Sequence, residues 1–251
     1  MDLGIAGRTA LVAASSAGLG FEAARSLARE GARVVVSGRR ADVLDAAVAA
    51  IRAEGGNASG VVAEVATPEG AERLFDDAHA VLGSVEILVA NAGGPPPGTF
   101  ASTDLDAYRV ALDLNLLSTV ALCRRAVPAM QEAGWGRVVA ITSVGARQPI
   151  GRLMASSVSR AGVTGFLKVL AAEVAADGVT VNSVQPGVHA TDRLSGLGVK
   201  DLETLLVDVP AKRLGDAADF GDVVAFLCGA PAAFVTGAGI AVDGGTSRGL
   251  I

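Results

Sequence analysis

The sequence predicts an α/β protein in which a doubly wound parallel sheet of about seven strands carries helices on both faces. Three observations predict it. Short apolar runs alternate with longer segments of helical spacing from the first residues onward. The runs are continuously apolar rather than alternating, as expected of strands covered on both sides. No low-complexity linker divides the 251 residues, and 51% of them are hydrophobic against 19% charged, so one domain over 1–251 can bury a sizeable core.

The elements follow in order. Arg8–Ala13 reads as a strand and Leu19–Glu30 as a helix with apolar positions at helical spacing. Arg33–Ser37 is the second strand, ending at Gly38 and Arg39, and Ala41–Glu54 the second helix. Ser59–Val65 is a strand, and Pro68–Leu82 a helix opened by Thr67 as cap with Pro68 in its first turn. Val85–Ala90 is the fourth strand, followed by one long helix from Leu105 to Ala133. Arg137–Thr142 makes the fifth strand and Met154–Ala176 a second long helix. Val179–Val184 is the sixth strand, Asp219–Cys228 a helix and Gly239–Val242 the seventh strand, with a looser stretch at Val188–Leu206.

Composition excludes several classes of function. The net charge is −5, so the broad basic field that attracts nucleic acid is missing. Cys123 and Cys228 lie far apart and match no metal or redox spacing, and with two histidines a histidine metal site is poorly supplied. Both cysteines fall in apolar helical patterns and are expected to be buried thiols. No uncharged apolar stretch of about 18 residues occurs, and the first residues lack a basic region followed by an apolar run. The expectation is a soluble, cytoplasmic protein with no metal, no membrane and no nucleic acid as partner.

The chemistry begins at the first strand, which runs through Ala14-Ser15-Ser16-Ala17-Gly18-Leu19-Gly20 into a helix. Gly18 and Gly20 lack a Cβ, so a pyrophosphate can approach backbone N–H groups at the positive end of the helix, and Ser15 and Ser16 add donors. An ordinary tight turn is the alternative. Strand, glycine turn and helix in that order suit a Rossmann-type dinucleotide site. The second strand then decides between cofactors. A site for NAD places an acidic residue at its end; here Ser37-Gly38-Arg39-Arg40 offers cations instead. Arg39 and Arg40 suit the 2′-phosphate of NADP(H), the alternative being an ordinary solvated pair of charges.

With Asn91-Ala92-Gly93 after the fourth strand, the chain resembles the short-chain dehydrogenase/reductase family over essentially its whole length. Ala13 through Gly20 is similar to the family's Thr-Gly-x-x-x-Gly-Ile-Gly turn, with Ala13 and Ala14 in place of its first two residues. Glu64 and Val65 resemble its Asp-Val pair against adenine, and Asn91, Ala92 and Gly93 match its Asn-Ala-Gly beside the cofactor. The resemblance implies that Asn115 holds a proton-relay water and that Ser143 is the catalytic serine. It also implies that Pro186, Gly187, Val188 and Thr191 flank the nicotinamide. Val235-Thr236-Gly237 through Val242-Asp243-Gly244-Gly245 resembles the C-terminal signature.

The departure lies at the centre. The family has Tyr-x-x-x-Lys on its fifth long helix, the Tyr about thirteen residues after the serine; counting from Ser143 reaches Ser156, and four further Arg160. Lys168 lies twelve residues beyond Ser156 and is not a displaced catalytic lysine. Leu153, Ser156 and Arg160 resemble a divergent group described as reductases of 3-oxoacyl type. Positions 156 and 160 share a helical face. Arg160 can donate to the nicotinamide ribose and supply a fixed charge, but cannot shuttle a proton. An unactivated serine hydroxyl is far less acidic than a tyrosine near pKa ~10. The lone tyrosine, Tyr108, lies two helical turns before Asn115 and reads as packing.

Other groups compete for the vacant role. His189 follows Gly187 by two residues and is a candidate acid/base, or else a loop residue; His79 reads as surface. Arg147, just after Ser143, can bind a substrate carboxylate or polarise a carbonyl, or form a local salt bridge. Gln148, Arg152 and Met154 lie near the same mouth, and Pro95-Pro96-Pro97 stiffens the opposite wall. Residues 188–206 resemble the family's substrate lid, with Gly196 and Gly198 suited to movement. The first expectation is an NADPH-dependent reductase of a ketone or 3-oxoacyl carbonyl, with water or Ser156 relaying the proton. The alternatives are an enzyme acting on a polarised double bond or in a non-redox step, and a cofactor-binding protein that has lost catalysis. The family resemblance implies a homotetramer or homodimer; Leu112, Leu116, Val120 and Ile240 permit it.

Overall fold

The computed structural model describes residues 1–191, 194 and 205–249. Seven strands form one sheet: β1 Thr9–Val12, β2 Arg33–Gly38, β3 Asn57–Val62, β4 Ile87–Ala90, β5 Gly136–Ile141, β6 Val179–Pro186 and β7 Gly239–Val242. Their order is β3-β2-β1-β4-β5-β6-β7, and every pairing is parallel. The chain winds outward from β1 in one direction and from β4 in the other. The carboxyl ends of β1 and β4 therefore flank the point where the winding reverses, which in open α/β sheets is where ligands bind.

Among the described residues, these helices cover the sheet: α1 Gly18–Arg29, α2 Ala41–Ala53, α3 Pro68–Leu82, α4 Leu105–Ala111, α5 Ser118–Glu132, α6 Met154–Val174 and α7 Ala217–Cys228. Strand residues alternate between two cores. Ala10, Val12, Val34, Val36, Ile87 and Val89 face α1, α2 and α7, where Leu27, Leu44, Ile51, Phe220 and Leu227 are buried. Leu11, Val35, Leu88, Val138, Ala140 and Val181 face α3, α5 and α6, where Leu74, Leu122, Met130 and Leu167 are buried. Both faces of each central strand are thus withdrawn from water, which is why these strands read as unbroken apolar runs.

Two boundaries differ from the sequence reading in ways that bear on the site. β3 starts at Asn57 and ends at Val62, so Glu64 and Val65 lie past the strand. The single helix expected over Leu105–Ala133 is interrupted by a π-helical turn, Leu112–Leu117, where the Ser118 N–H bonds the Asp113 carbonyl five residues back. Ser118 Oγ and Thr119 Oγ1 donate to the Leu114 and Asn115 carbonyls at 2.6 and 2.7 Å. The periodicity of apolar residues survives such a turn, so the sequence pattern did not show it. Cys123 and Cys228 are both fully buried thiols, which burial pushes up to about 12.

At the amino end of the sheet the one tryptophan, Trp135, lies between the guanidinium groups of Arg8 and Arg137, 4.0 and 4.4 Å from its ring centre. Arg8 also pairs with Glu86 just before β4. Among the described residues no helix is long and apolar enough to cross a membrane, and no cluster of three metal-ligating side chains occurs.

Candidate active site

The glycine turn after β1 is built around backbone hydrogen bonds to β2. The N–H of Ala14 donates to Ser37 Oγ at 2.9 Å, that of Ser15 to the Ser37 carbonyl at 2.7 Å, and Ser37 N–H returns to Ser15 Oγ at 3.0 Å. Ser15 is thereby buried and spent on the fold, its hydroxyl donating to Val12 at 2.5 Å, and it does not face a phosphate as the sequence suggested. Gly20 has no room for a side chain: a Cβ there would come 2.6 Å from Asn91 Nδ2 and 2.9 Å from the Ala14 carbonyl. Asn91 Nδ2 donates to that same carbonyl at 2.9 Å, fastening the end of β4 to the turn.

The start of α1 is left open. Its cap, Ala17, makes no side-chain bond, and the first helical backbone bond is Phe21 N–H to Ala17. The N–H groups before it point outward at the positive end of a twelve-residue helix. An uncapped amino end over a turn closed to any Cβ fits a dinucleotide pyrophosphate. Gly18, at φ +62°, and Leu19 begin this helix; a Cβ on Gly18 would come 4.0 Å from the Thr191 methyl, so Thr191 lies over the same turn. Ser16 lies over Gly38, where a Cβ would come 2.5 Å from its hydroxyl.

At the outer end of β2, Arg39 and Arg40 are exposed. Arg39 Nη1 reaches Glu64 Oε2 at 3.4 Å, and Glu64 Oε1 accepts the Ala66 N–H at 3.1 Å. Glu64 thus pairs with the arginine at the end of β2. Val65 is buried in the core.

The reaction end gathers β5, the π-helical turn and the start of α6. Ser143 caps a short helical turn, Val144–Ala146, its Oγ accepting the Gly145 N–H at 3.0 Å. Ser156 and Arg160 are both buried on one face of α6, and Arg160 Nε donates to Ser156 Oγ at 3.3 Å. Arg160 Nη1 donates to the Thr142 and Ile141 carbonyls at 2.7 and 3.2 Å, so the guanidinium tucks against the end of β5. The sequence reading sent this side chain toward the nicotinamide ribose; the two carbonyls that β5 leaves at its end draw these nitrogens inward. Asn115 Nδ2 donates to the Gly93 carbonyl at 3.0 Å, and its Oδ1 accepts from Ser159 Oγ at 3.0 Å. Asn115 thus joins the turn after β4 to α6. Ser159 escaped the sequence reading, although its place between Ser156 and Arg160 in the same helical turn is a usable signal.

Two candidates lie elsewhere. Arg147 is exposed, and its Nη2 donates to the Gly239 carbonyl of β7 at 2.7 Å, so it braces the sheet edge rather than a carbonyl at the reaction end. His189 is buried, edge-on to Phe220 of α7 at 5.2 Å, with Nδ1 3.4 Å from the Gly187 carbonyl. Burial holds its pKa below the ordinary histidine value, against the pull of the Gly187 carbonyl, Asp216 and Asp219. A neutral histidine packed on the α7 side is removed from the serines under α6, because the loop after Gly187 runs along Gly215 in a parallel bridge. It lines a small pocket of about 120 Å³ with Val188, Arg213, Asp216, Asp219 and Asp243.

Ala92 and Gly93 continue from Asn91, with Gly93 exposed, and Pro186 ends β6 against Val242. The wall opposite is joined across the mouth: Gly98 N–H donates to the Arg152 carbonyl at 2.8 Å, and Met154 N–H to the Gly98 carbonyl at 3.2 Å. Pro95 is buried behind it. Tyr108 is half-buried on α4, and His79 stacks on Phe75 within α3. Most of the expected lid, with Gly196 and Gly198, lies outside the described residues.

Comparison with known proteins gives one consistent picture. A family model described as enoyl-(acyl carrier protein) reductase matches residues 13–247. The human dehydrogenase/reductase SDR family member 4 is 35% identical over 245 residues, covering 96% of this chain and 88% of that protein. Among solved structures, L-sorbose reductase from Gluconobacter frateurii, complexed with NADPH and L-sorbose, superposes with a TM-score of 0.94 at 30% identity over 100% of both chains. A 7α-hydroxysteroid dehydrogenase, complexed with NADH and 7-oxo glycochenodeoxycholic acid, gives 0.92 at 31% identity, over 100% of this chain and 98% of that one.

Proposed function

Because the chain belongs to the short-chain dehydrogenase/reductase family, we propose that it is an NADPH-dependent oxidoreductase that reduces the carbonyl of a small molecule, a ketone or 3-oxoacyl compound. It is an oxidoreductase of this family; the cofactor preference and the acceptor are our reading. The observation that carries the preference is the end of β2, where Arg39 and Arg40 stand exposed and the carboxylate of Glu64 is paired with Arg39. A 2′-phosphate takes the place of that exposed carboxylate at the guanidinium, whereas a ribose hydroxyl offers it no charge.

The bound nicotinamide would supply the hydride. The pyrophosphate would lie on the open end of α1, and the nicotinamide between the turn at Gly93 and the segment Pro186–Thr191. Ser143 and Ser156 then hold the acceptor oxygen, each through a hydroxyl proton that has no acceptor among the described residues. Arg160 fixes Ser156, and Asn115 fixes the Gly93 turn. Solvent supplies the proton, because neither serine releases one in the working range.

Dissociation constants for NADPH and NADH test the preference. Tighter NADPH binding is expected, and Arg39→Ala should weaken NADPH by about tenfold or more while leaving NADH nearly unchanged, since a charge-assisted bond contributes roughly 1.5–3 kcal/mol. Equal or tighter NADH binding by the unaltered protein overturns the preference. Transfer of deuterium from labelled NADPH to a carbonyl carbon tests the reaction.

A further inference from the structure

The turn after β4 is held by very little. Gly93 is exposed, and a Cβ on it would meet nothing within 4 Å. Among the described residues its carbonyl has a single hydrogen-bond partner, Asn115 Nδ2 at 3.0 Å. That amide is held in turn from its other end: Asn115 is buried, and its Oδ1 accepts from Ser159 Oγ at 3.0 Å. Ser159 is fully buried in α6, and its hydroxyl also lies 3.2 Å from the Ser156 carbonyl. A serine inside a helix ordinarily bonds back to a carbonyl of its own helix. Here the shorter of the two contacts leaves the helix, so the hydroxyl proton ties α6 to the π-helical turn. Chemistry fixes the direction of each bond. The Gly93 carbonyl can only accept, so Asn115 turns its NH2 toward it and presents its oxygen to Ser159. A side chain at 159 without a donor would leave that oxygen buried and unpaired.

We propose that Ser159 is a positioning residue for the nicotinamide half of the cofactor, acting through Asn115 on the Gly93 turn. This role rests on the reductase reading for the nicotinamide itself and adds the residue that sets its place. In that reading the nicotinamide lies between the Gly93 turn and Pro186–Thr191, and the rest of the dinucleotide lies on the start of α1 and the end of β2. Those outer parts are held by other bonds. Asn91 fastens the end of β4 to the Ala14 carbonyl, and Ser15 and Ser37 fasten the glycine turn to β2. Loss of the Ser159 hydroxyl therefore acts on one half of the ligand. It leaves α6 standing, because alanine favours a helix more than serine does and the backbone ladder is untouched. Ser156 and Arg160 belong to the same turn of α6, so the bond from Ser159 keeps the hydride donor in register with the side that holds the acceptor oxygen.

Two ligands test this with the full chain: NADPH, and 2′-phospho-ADP-ribose, the same molecule without its nicotinamide. Dissociation constants are read by calorimetry. Ser159→Ala should weaken NADPH about fivefold or more and change the fragment by less than about twofold. Ser159→Cys, close to serine in size but a weak donor, should do the same. A general loosening of the fold would weaken both ligands alike, and that result overturns the role. So does NADPH binding by Ser159→Ala as tight as that of the unaltered protein. Should the alanine variant bind neither ligand, Ser159→Cys decides: a loss confined to NADPH supports the role, and unaltered affinity, which makes size rather than the hydrogen bond the cause, overturns it. These failures leave the reductase reading standing, since the unaltered protein still binds NADPH. An unaltered protein that binds NADPH and the fragment equally well overturns the positioning role alone. One that binds neither overturns the reductase reading and the role with it.

Discussion

Ala14 carries the turn after β1 at φ +46°, in the region that favours glycine. Its Cβ is crowded against its own backbone there, at a cost of about 1–2 kcal/mol, whereas glycine costs about 0.5–1 kcal/mol through its freedom in the unfolded chain. Ala14→Gly is expected to raise stability by up to about 1 kcal/mol, measured as a higher denaturant midpoint with an unchanged slope. His189 supplies a pH dependence of definite sign. Its folded pKa lies below the ordinary histidine value because burial disfavours the cation. The unfolded chain therefore takes up the proton first as pH falls. The stabilisation is complete above about pH 6.5 and is lost from there down toward the folded pKa. Urea unfolding at a series of pH values should show the decline, and His189→Gln should flatten it. Residues with defined family motifs were legible in the sequence: Asn91, Asn115, Ser143, Ser156 and Arg160. What each bonds to was not, because Arg160 chooses between β5 carbonyls and open space only once β5 and α6 are packed together.

At the scale of the element, the π-helical turn carries the most chemistry. It brings Asn115 to Gly93 on one side and Ser159 on the other, and the hydroxyls of Ser118 and Thr119 bond the Leu114 and Asn115 carbonyls. Asn115→Ala removes the bond to the Gly93 carbonyl and leaves the Ser159 hydroxyl only the Ser156 carbonyl as acceptor. The expected cost is about 1–2 kcal/mol in urea unfolding, with weaker NADPH binding as the Gly93 turn loosens. Strand and helix identities followed directly from apolar periodicity, and their ends fell within a few residues. The π-helical turn did not, because one extra residue in a turn leaves the apolar face nearly continuous. Nor did the destination of Arg147 and His189: a strand end and a loop near the right end of the sheet do not reveal which side of it a side chain will choose.

For the whole molecule, the two-sided sheet leaves apolar side chains outside both cores. Leu105 and Val110 of α4, Leu117 of the π-helical turn, and Val158 and Val169 of α6 are exposed. Scattered singly they would need no explanation, but they lie on the helices over one face of the sheet. We propose that this face joins copies of the chain into a homodimer or homotetramer. Light scattering in solution is expected to give a multiple of the 25.0 kDa chain mass, and Val158→Glu with Val169→Glu to reduce it.

The place of Trp135 makes the protein carry its own two-colour assay. The single indole sits between two guanidinium groups at the amino ends of the strands, and the proposed nicotinamide site lies at their carboxyl ends. Emission excited at the indole therefore follows loss of the fold, while the reduced nicotinamide reports its own binding by its own fluorescence. A substitution that empties the site without unfolding the chain should change the second signal and leave the first in place.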